Sequence, residues 1–94
     1  MYMELYTTYQ SYIDTIEKDG KGFTAEDGTK YSKYRIKFVN YSLTFPAYVR
    51  KDLVLEVGDK ISYEIILNRK KKFQLSKIRV ISYSMPSNPL YRPY

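Results

Sequence analysis

Within residues 33–39, charged and apolar side chains alternate from Lys33 to Phe38, and this pattern constrains the fold more than any other feature of the sequence. The charged set is Lys33, Arg35 and Lys37, and the apolar set is Tyr34, Ile36 and Phe38. Successive side chains of a β-strand point to opposite faces of its sheet. The segment is therefore predicted to be a strand with one face in a core and the other in solvent.

A second alternating run follows, after a predicted turn at residues 40–42. Its apolar side chains are Leu43, Phe45, Ala47 and Val49. Pro46 cannot donate a hydrogen bond to a neighbouring strand, so this strand is predicted to lie at a sheet edge or to carry a bulge. Together the two runs form a predicted hairpin, whose solvent face carries Lys33, Arg35, Lys37, Tyr48 and Arg50.

The N-terminal third is predicted to form a strand followed by a long hairpin arm. The strand covers residues 9–18, and its apolar phase slips between Ile13 and Ile16. Turn signals that contain glycine lie on both sides of Phe23 and lead the arm back to Tyr31. Phe23 is predicted either to staple the arm to the core or to form a stacking tip.

Two more strands are predicted in the C-terminal half from the same alternation. One covers residues 61–67, and the other covers residues 73–83 with a bulge near Ser76 and Lys77. The first of them is predicted to place four side chains in the core: Ile61, Tyr63, Ile65 and Leu67. The loop that joins the two strands contains four consecutive bases, Arg69, Lys70, Lys71 and Lys72.

Five strands in this arrangement predict an all-β protein, the five-stranded Greek-key barrel called the OB-fold. In that fold, the face of strands 2 and 3 and the loops 1–2 and 4–5 form the binding surface. All three of these regions are basic or contain tyrosine here. Residues 1–83 are predicted to form this single domain, with a long arm between strands 1 and 2. Residues 84–94 contain three of the four prolines and are predicted to form an extended tail.

The chain has 94 residues and contains neither cysteine nor histidine. Without cysteine there is no disulfide framework and no cysteine zinc site. Without histidine the commonest general base and metal ligand is missing. The ten acidic residues are scattered, so we expect a non-catalytic protein with no metal and no cofactor. No run of about 18 apolar residues and no signal pattern is present, so we expect a cytoplasmic protein with no membrane partner.

Charge is unevenly distributed along the sequence. Residues 1–27 contain six acids and two bases, whereas residues 28–51 contain six bases and no acid. From Lys60 onward there are eight bases and one acid. Such a concentrated basic field predicts a polyanionic partner. Twelve tyrosines add flat rings on which nucleic-acid bases can stack.

Three short motifs stand at the predicted strands, at residues 27–32, 45–49 and 75–80. They resemble the turn that opens the second strand, the third strand and the closing strand of small single-stranded-DNA-binding proteins of bacteriophages. The gene-five (helix-destabilising) protein of filamentous phages is the best-known member of that family. The resemblance extends over residues 9–83 and implies an OB-fold that binds DNA. It also implies that Tyr31, in the first motif, stacks on bases.

The sequence therefore predicts sequence-tolerant binding of single-stranded DNA, which the protein would coat and protect during phage replication or recombination. Tyr31 and Tyr48 are the predicted stacking residues, and Phe23 is a further candidate. The predicted contacts to the DNA backbone come from Lys33, Arg35, Lys37, Arg50, Arg69, Lys70, Lys71 and Lys72.

Two other functions would use the same residues. A single-stranded RNA-binding OB module needs the same stacking surface and the same bases. A protein-interaction or virion structural module would instead use tyrosines as interface anchors. A homodimer is predicted, because the tyrosine-rich N-terminal segment and the tail offer additional surface.

Overall fold

The part of the chain that the structure describes is built entirely from β-strands. A computed structural model gives the structure of residues 4–84. This range contains no helix and six strands: β1 (Thr8–Lys18), β2 (Phe23–Thr24), β3 (Lys30–Phe38), β4 (Thr44–Arg50), β5 (Lys60–Leu67) and β6 (Phe73–Ser82). The predicted tail lies outside the described residues, apart from Ser84.

Strand pairing closes five of the six strands into a barrel. Their order is β1–β5–β6–β4–β3, and β1 pairs with β3 to complete the ring. These pairs are antiparallel except for β4 and β6, which run parallel where Ala47 meets Leu75. The short β2 adds to the edge of β3. This mixed barrel confirms the prediction of an all-β, OB-fold-like architecture with an arm between its first two strands.

β1 has two neighbours and changes from one to the other at a bulge. Its first half, as far as Tyr12, pairs with β5, and its second half, from Ile13 onward, pairs with β3. The register shifts between Ile13 and Thr15, so that Ile13 and Ile16 both pack toward the core. The predicted slip of the apolar phase is confirmed, and it marks a local bend of the kind that bulges introduce into barrel strands.

A second bulge lies in β6. The register against β5 shifts between Ser62 and Glu64. On the β6 side of this shift, Lys77 has a left-handed backbone with a φ of 52°. The side chain of Lys77 pairs with Glu64 at 3.4 Å. The bulge predicted near Ser76 and Lys77 is therefore confirmed.

The inward faces of the barrel strands form one core. Its buried apolar members are Ile13, Ile36, Phe38, Phe45, Ala47, Val49, Ile61, Tyr63, Ile65 and Leu75. Tyr34 has the predicted inward phase but is only half-buried, at the margin of the core. The prediction is wrong for Leu43 and Leu67, which are 42% and 43% exposed. Leu43 precedes β4 and Leu67 ends β5, so both lie where the core no longer covers the chain.

Tyr63 is a buried ionisable residue in this core. Its ring stacks on Phe38 with 4.4 Å between centroids, and its hydroxyl lies 2.8 Å from the Ser11 hydroxyl. Burial raises the pKa of Tyr63 above its ordinary value of 10.0. The folded state thus favours the neutral phenol. The resulting stabilisation is complete below about pH 10 and declines as the pH rises above that value.

The free energy of unfolding is expected to fall more steeply above about pH 10 in the wild type than in Tyr63→Phe, which cannot titrate there. At neutral pH the phenylalanine variant should be less stable by about 1 kcal/mol, because the buried Ser11 hydroxyl loses its partner. The difference in the free energy of unfolding between the wild type and the variant should narrow as the pH rises above about 10. Urea unfolding at a series of pH values measures both effects, and a gap that stays constant would contradict the prediction.

Candidate nucleic-acid interface

The outward face of β3 and β4 carries side chains that the sequence predicts for binding. The register sets three pairs side by side: Tyr31 with Arg50, Lys33 with Tyr48, and Arg35 with Pro46. Residues of the opposite phase, such as Ile36 and Val49, are buried. Because the core fixes one face of the hairpin, the other face is held in solvent.

Three aromatic rings pack together at one end of this face. Phe23, Tyr31 and Tyr48 form what we call the aromatic cluster. Phe23 lies opposite Tyr31 in the β2–β3 pair, and the two rings are nearly parallel with centroids 4.9 Å apart. The Tyr48 ring meets Phe23 edge-on at 5.0 Å. Phe23 packs on the tyrosines and not in the core, and it is 47% exposed, so the cluster keeps part of its ring surface open to solvent.

Local geometry holds the arm that carries Phe23 close to β3. A β-carbon on Gly22 would lie 1.7 Å from the carbonyl oxygen of Tyr31, so only glycine fits at this crossing. In the turn beyond β2, the carboxylate of Asp27 accepts a hydrogen bond from the Thr29 amide at 2.9 Å. This bond lowers the pKa of Asp27. The chain thus passes close to Tyr31 just before Phe23 and makes a hydrogen-bonded turn after it.

Residues 68–72 form a tight loop between β5 and β6, which we call the basic loop. Asn68 organises it, because its side-chain oxygen accepts from the amides of Lys70 at 2.9 Å and Lys72 at 3.1 Å. The Asn68 amide in turn donates to the Lys72 carbonyl at 2.9 Å. Asn68 was not among the residues predicted from the sequence to be functional. The signal was present, since asparagine at the start of a turn commonly makes such bonds.

The basic loop and the hairpin face enclose a groove of about 340 Å³, the basic groove. Six of its lining residues are among the predicted binding residues: Lys33, Arg35, Tyr48, Arg69, Lys70 and Lys72. Three others were not predicted: Pro46, Asn68 and Gln74. The fold thus brings the outward face of β3 and β4 together with the basic loop, which are two of the three parts of the predicted binding surface. Gln74 adds β6, which was not part of the predicted surface.

A second groove, of about 330 Å³, borders the aromatic cluster at Phe23 and Tyr31. Four lysines line this lysine groove: Lys18, Lys21, Lys30 and Lys51. None of them forms an ion pair with another residue of the described range. None of these four lysines was predicted from the sequence to be a binding residue. Alternation could not identify Lys30 or Lys51, because Lys30 has the inward phase of β3 and Lys51 lies just beyond β4.

Acidic side chains neutralise part of the hairpin face. Asp19 Oδ2 lies 3.8 Å from Lys33 Nζ and 3.6 Å from Arg35 Nη1. Two further pairs are closer: Lys37 with Asp14 at 2.9 Å, and Arg50 with Asp52 at 2.8 Å. The four bases of the basic loop, by contrast, have no ion-pair partner within residues 4–84. The free positive charge is therefore concentrated in the basic loop and the lysine groove.

Residues 4–84 contain no group of three or more acidic, cysteine or histidine side chains that could hold a metal ion. No helix in that range is long and apolar enough to cross a membrane.

No family model, curated protein or solved structure matches this chain. The resemblance to phage single-strand-binding proteins therefore stays a prediction. The function is inferred from the geometry of the two grooves and the aromatic cluster.

Three of the predicted binding bases do not line the basic groove. Lys37 pairs with Asp14 further along β3. Arg50 lies at the end of β4, in a depression that it shares with the Lys30 and Lys51 side chains. Lys71 is exposed on the basic loop. Lys37 and Arg50 are paired with carboxylates, so of these three bases it is Lys71 that adds free positive charge beside the groove.

Proposed function

We propose that this protein binds single-stranded DNA, without catalysis and with little sequence preference, and thereby coats and protects the strand. One observation carries the proposal. The aromatic cluster joins two cationic grooves, because Tyr48 lines the basic groove while Phe23 and Tyr31 line the lysine groove. Stacking rings within cationic grooves are the elements that sequence-tolerant single-strand binding requires.

The aromatic cluster supports unpaired bases as the ligand. Every base has a flat face, so stacking on Phe23 or Tyr48 does not depend on base identity. In a duplex these faces are already covered by neighbouring base pairs and cannot reach the rings. The cluster is held by strand pairing and ring packing, so stacking a base on it orders few additional side chains.

The two grooves support contacts to phosphates on both sides of the stacked bases. The basic groove offers Arg69, Lys70 and Lys72, and the lysine groove offers Lys21, Lys30 and Lys51. A strand that runs from one groove to the other would cross the aromatic cluster between them. Such a path implies a site of at least about four nucleotides, the lower end of the range for OB-folds.

The protein is expected to bind oligo-dT more tightly than a blunt DNA duplex of equal length. Its affinity should also fall steeply with salt. With about four to six phosphate contacts, the log–log slope should be about −3 to −4, at roughly −0.7 per contact. Anisotropy titrations of labelled oligo-dT, oligo-U and duplex DNA at two salt concentrations measure both properties.

Each arm of this experiment has an outcome that would contradict the proposal. Equal or tighter binding of the duplex would exclude stacking on unpaired bases as the main source of affinity. Clearly tighter binding of oligo-U would favour an RNA-binding module. A lack of affinity for all oligonucleotides, or a flat salt response, would favour a protein-interaction or virion module.

In the cell, the protein would coat DNA in the cytoplasm during replication or recombination. For a viral protein, this would be the cytoplasm of the host. The homodimer predicted from the sequence belongs to the same proposal. Sedimentation equilibrium with and without oligo-dT measures the oligomeric state, and a monomer under both conditions would contradict the dimer while leaving DNA binding intact.

A further inference from the structure

Asp19 lies among the cations of the proposed binding face. It directly follows β1, and its amide donates a hydrogen bond to the Lys33 carbonyl at 2.8 Å. This bond fixes Asp19 beside β3. Its carboxylate then lies 3.8 Å from Lys33 Nζ and 3.6 Å from Arg35 Nη1. One carboxylate therefore faces both of the cations that β3 contributes to the basic groove.

We propose that Asp19 limits the affinity of the basic groove by competing with phosphate groups for Lys33 and Arg35. This inference rests on the proposed function, because it concerns the same groove. A phosphate that enters the groove meets two cations that are already partly neutralised. It must displace the carboxylate or share the cations with it, and a like charge at this distance weakens binding in either case.

The geometry of the two ion pairs favours competition over a structural role. The side chains of Lys33, Arg35 and Asp19 are 33%, 51% and 37% exposed. Both distances exceed the roughly 2.7–2.9 Å of a close charge-assisted hydrogen bond. Loose pairs between exposed side chains add little to stability. The carboxylate can therefore leave the two cations without unfolding the hairpin.

The other carboxylates of the hairpin face do not have this position. Asp14 and Asp52 form closer pairs, at 2.9 and 2.8 Å, with Lys37 and Arg50. Neither of those bases lines the basic groove. Of the three carboxylates on this face, Asp19 is therefore the one that pairs with cations lining the basic groove.

Asp19→Asn tests the inference, because it removes the charge and nearly preserves the shape of the side chain. In anisotropy titrations at low salt, the variant should bind oligo-dT about two- to fivefold more tightly than the wild type, the range expected for an exposed charge pair. Its salt slope should be steeper by up to about 0.7. The gain should shrink at high salt, where exposed charges are screened. The melting temperature should hardly change.

Asp14→Asn is the matched control, since it makes the same chemical change on the same stretch of chain but releases Lys37, outside the groove. Its gain in affinity should be smaller. In a background with Lys33→Ala and Arg35→Ala, Asp19→Asn should no longer tighten binding, because the cations it competes for are absent.

The outcomes separate this inference from the proposed function. Unchanged or weaker binding by Asp19→Asn, in a protein whose wild type binds oligo-dT, would overturn the inference and leave the function standing. An equal gain from Asp14→Asn would also overturn it, because the effect would then come from net charge alone. If the wild type does not bind oligo-dT at all, the proposed function itself is overturned.

Discussion

Phe38→Ala is expected to lower the free energy of unfolding by about 3–5 kcal/mol, a large part of the roughly 5–15 kcal/mol that stabilises a small domain. The Phe38 ring is fully buried. It stacks on Tyr63 at 4.4 Å and packs against Phe45 at 6.2 Å between centroids. The resulting cavity would lie among β3, β4 and β5. Hydrogen bonding around the closed barrel limits how far these strands can collapse into it.

Lys37→Ala is the control for this prediction, because Lys37 is the preceding residue of the same strand and points to the opposite face. Its ion pair with Asp14 is partly exposed, so stability should change by no more than about 0.5 kcal/mol. Phe38→Leu is a milder change that should remain folded and lose less stability. It serves as the test if Phe38→Ala does not fold. Urea unfolding followed by circular dichroism measures all three variants. A large loss in Lys37→Ala with none in Phe38→Ala would mean that the faces of β3 are exchanged.

The faces of β3 and β4 could be predicted from the sequence because the two sides of this hairpin meet very different environments. A shift of one residue would bury Lys37 and expose Phe38, so local alternation and global packing demand the same phase. The same reasoning identified the bulge in β1 and the one near Lys77 in β6, because a bulge accounts for a slip of the apolar phase in a strand that stays paired. It did not identify the further register shift of β5 against β6 between Lys60 and Ile61.

Strand ends were predicted less well, because alternation continues past the point where the core covers the chain. Leu43 and Leu67 keep the apolar phase of their strands but lie at or beyond the ends of β4 and β5. Their burial depends on which neighbouring segment lies above them. That is a property of the assembled barrel and not of the local pattern.

Part of the candidate site could likewise be predicted from the sequence, whereas other parts depend on how the strands pair. Once an OB-fold was predicted, the meeting of the hairpin face with the basic loop followed from its topology. The position of Asp19 did not follow, because it depends on the β1–β3 register, which sets Lys18 opposite Tyr34. A change of that register by two residues would take the carboxylate away from Lys33. The aromatic cluster also depends on pairing, since Phe23 reaches Tyr31 only through β2.

Tyr48→Ala is expected to weaken binding of oligo-dT by about 1–3 kcal/mol without changing the salt slope. Tyr48 lines the basic groove and packs edge-on against Phe23 at 5.0 Å. Its truncation removes a ring from the surface on which bases are proposed to stack. Stacking releases no counterions, so log–log salt plots of the variant and the wild type should run parallel. Anisotropy titrations at several salt concentrations measure the offset and the slope together.

Two further variants serve as controls for this experiment. Tyr12→Ala also removes an exposed tyrosine. Tyr12 lies on β1 beneath the Lys60 ammonium of β5 and lines neither groove, so affinity should not change. Lys70→Ala should lower affinity and flatten the slope by about 0.7, because one phosphate contact is lost. An equal loss in Tyr12→Ala would mean that the effect is not local. A flattened slope in Tyr48→Ala would mean that the residue acts through phosphate contacts and not through stacking.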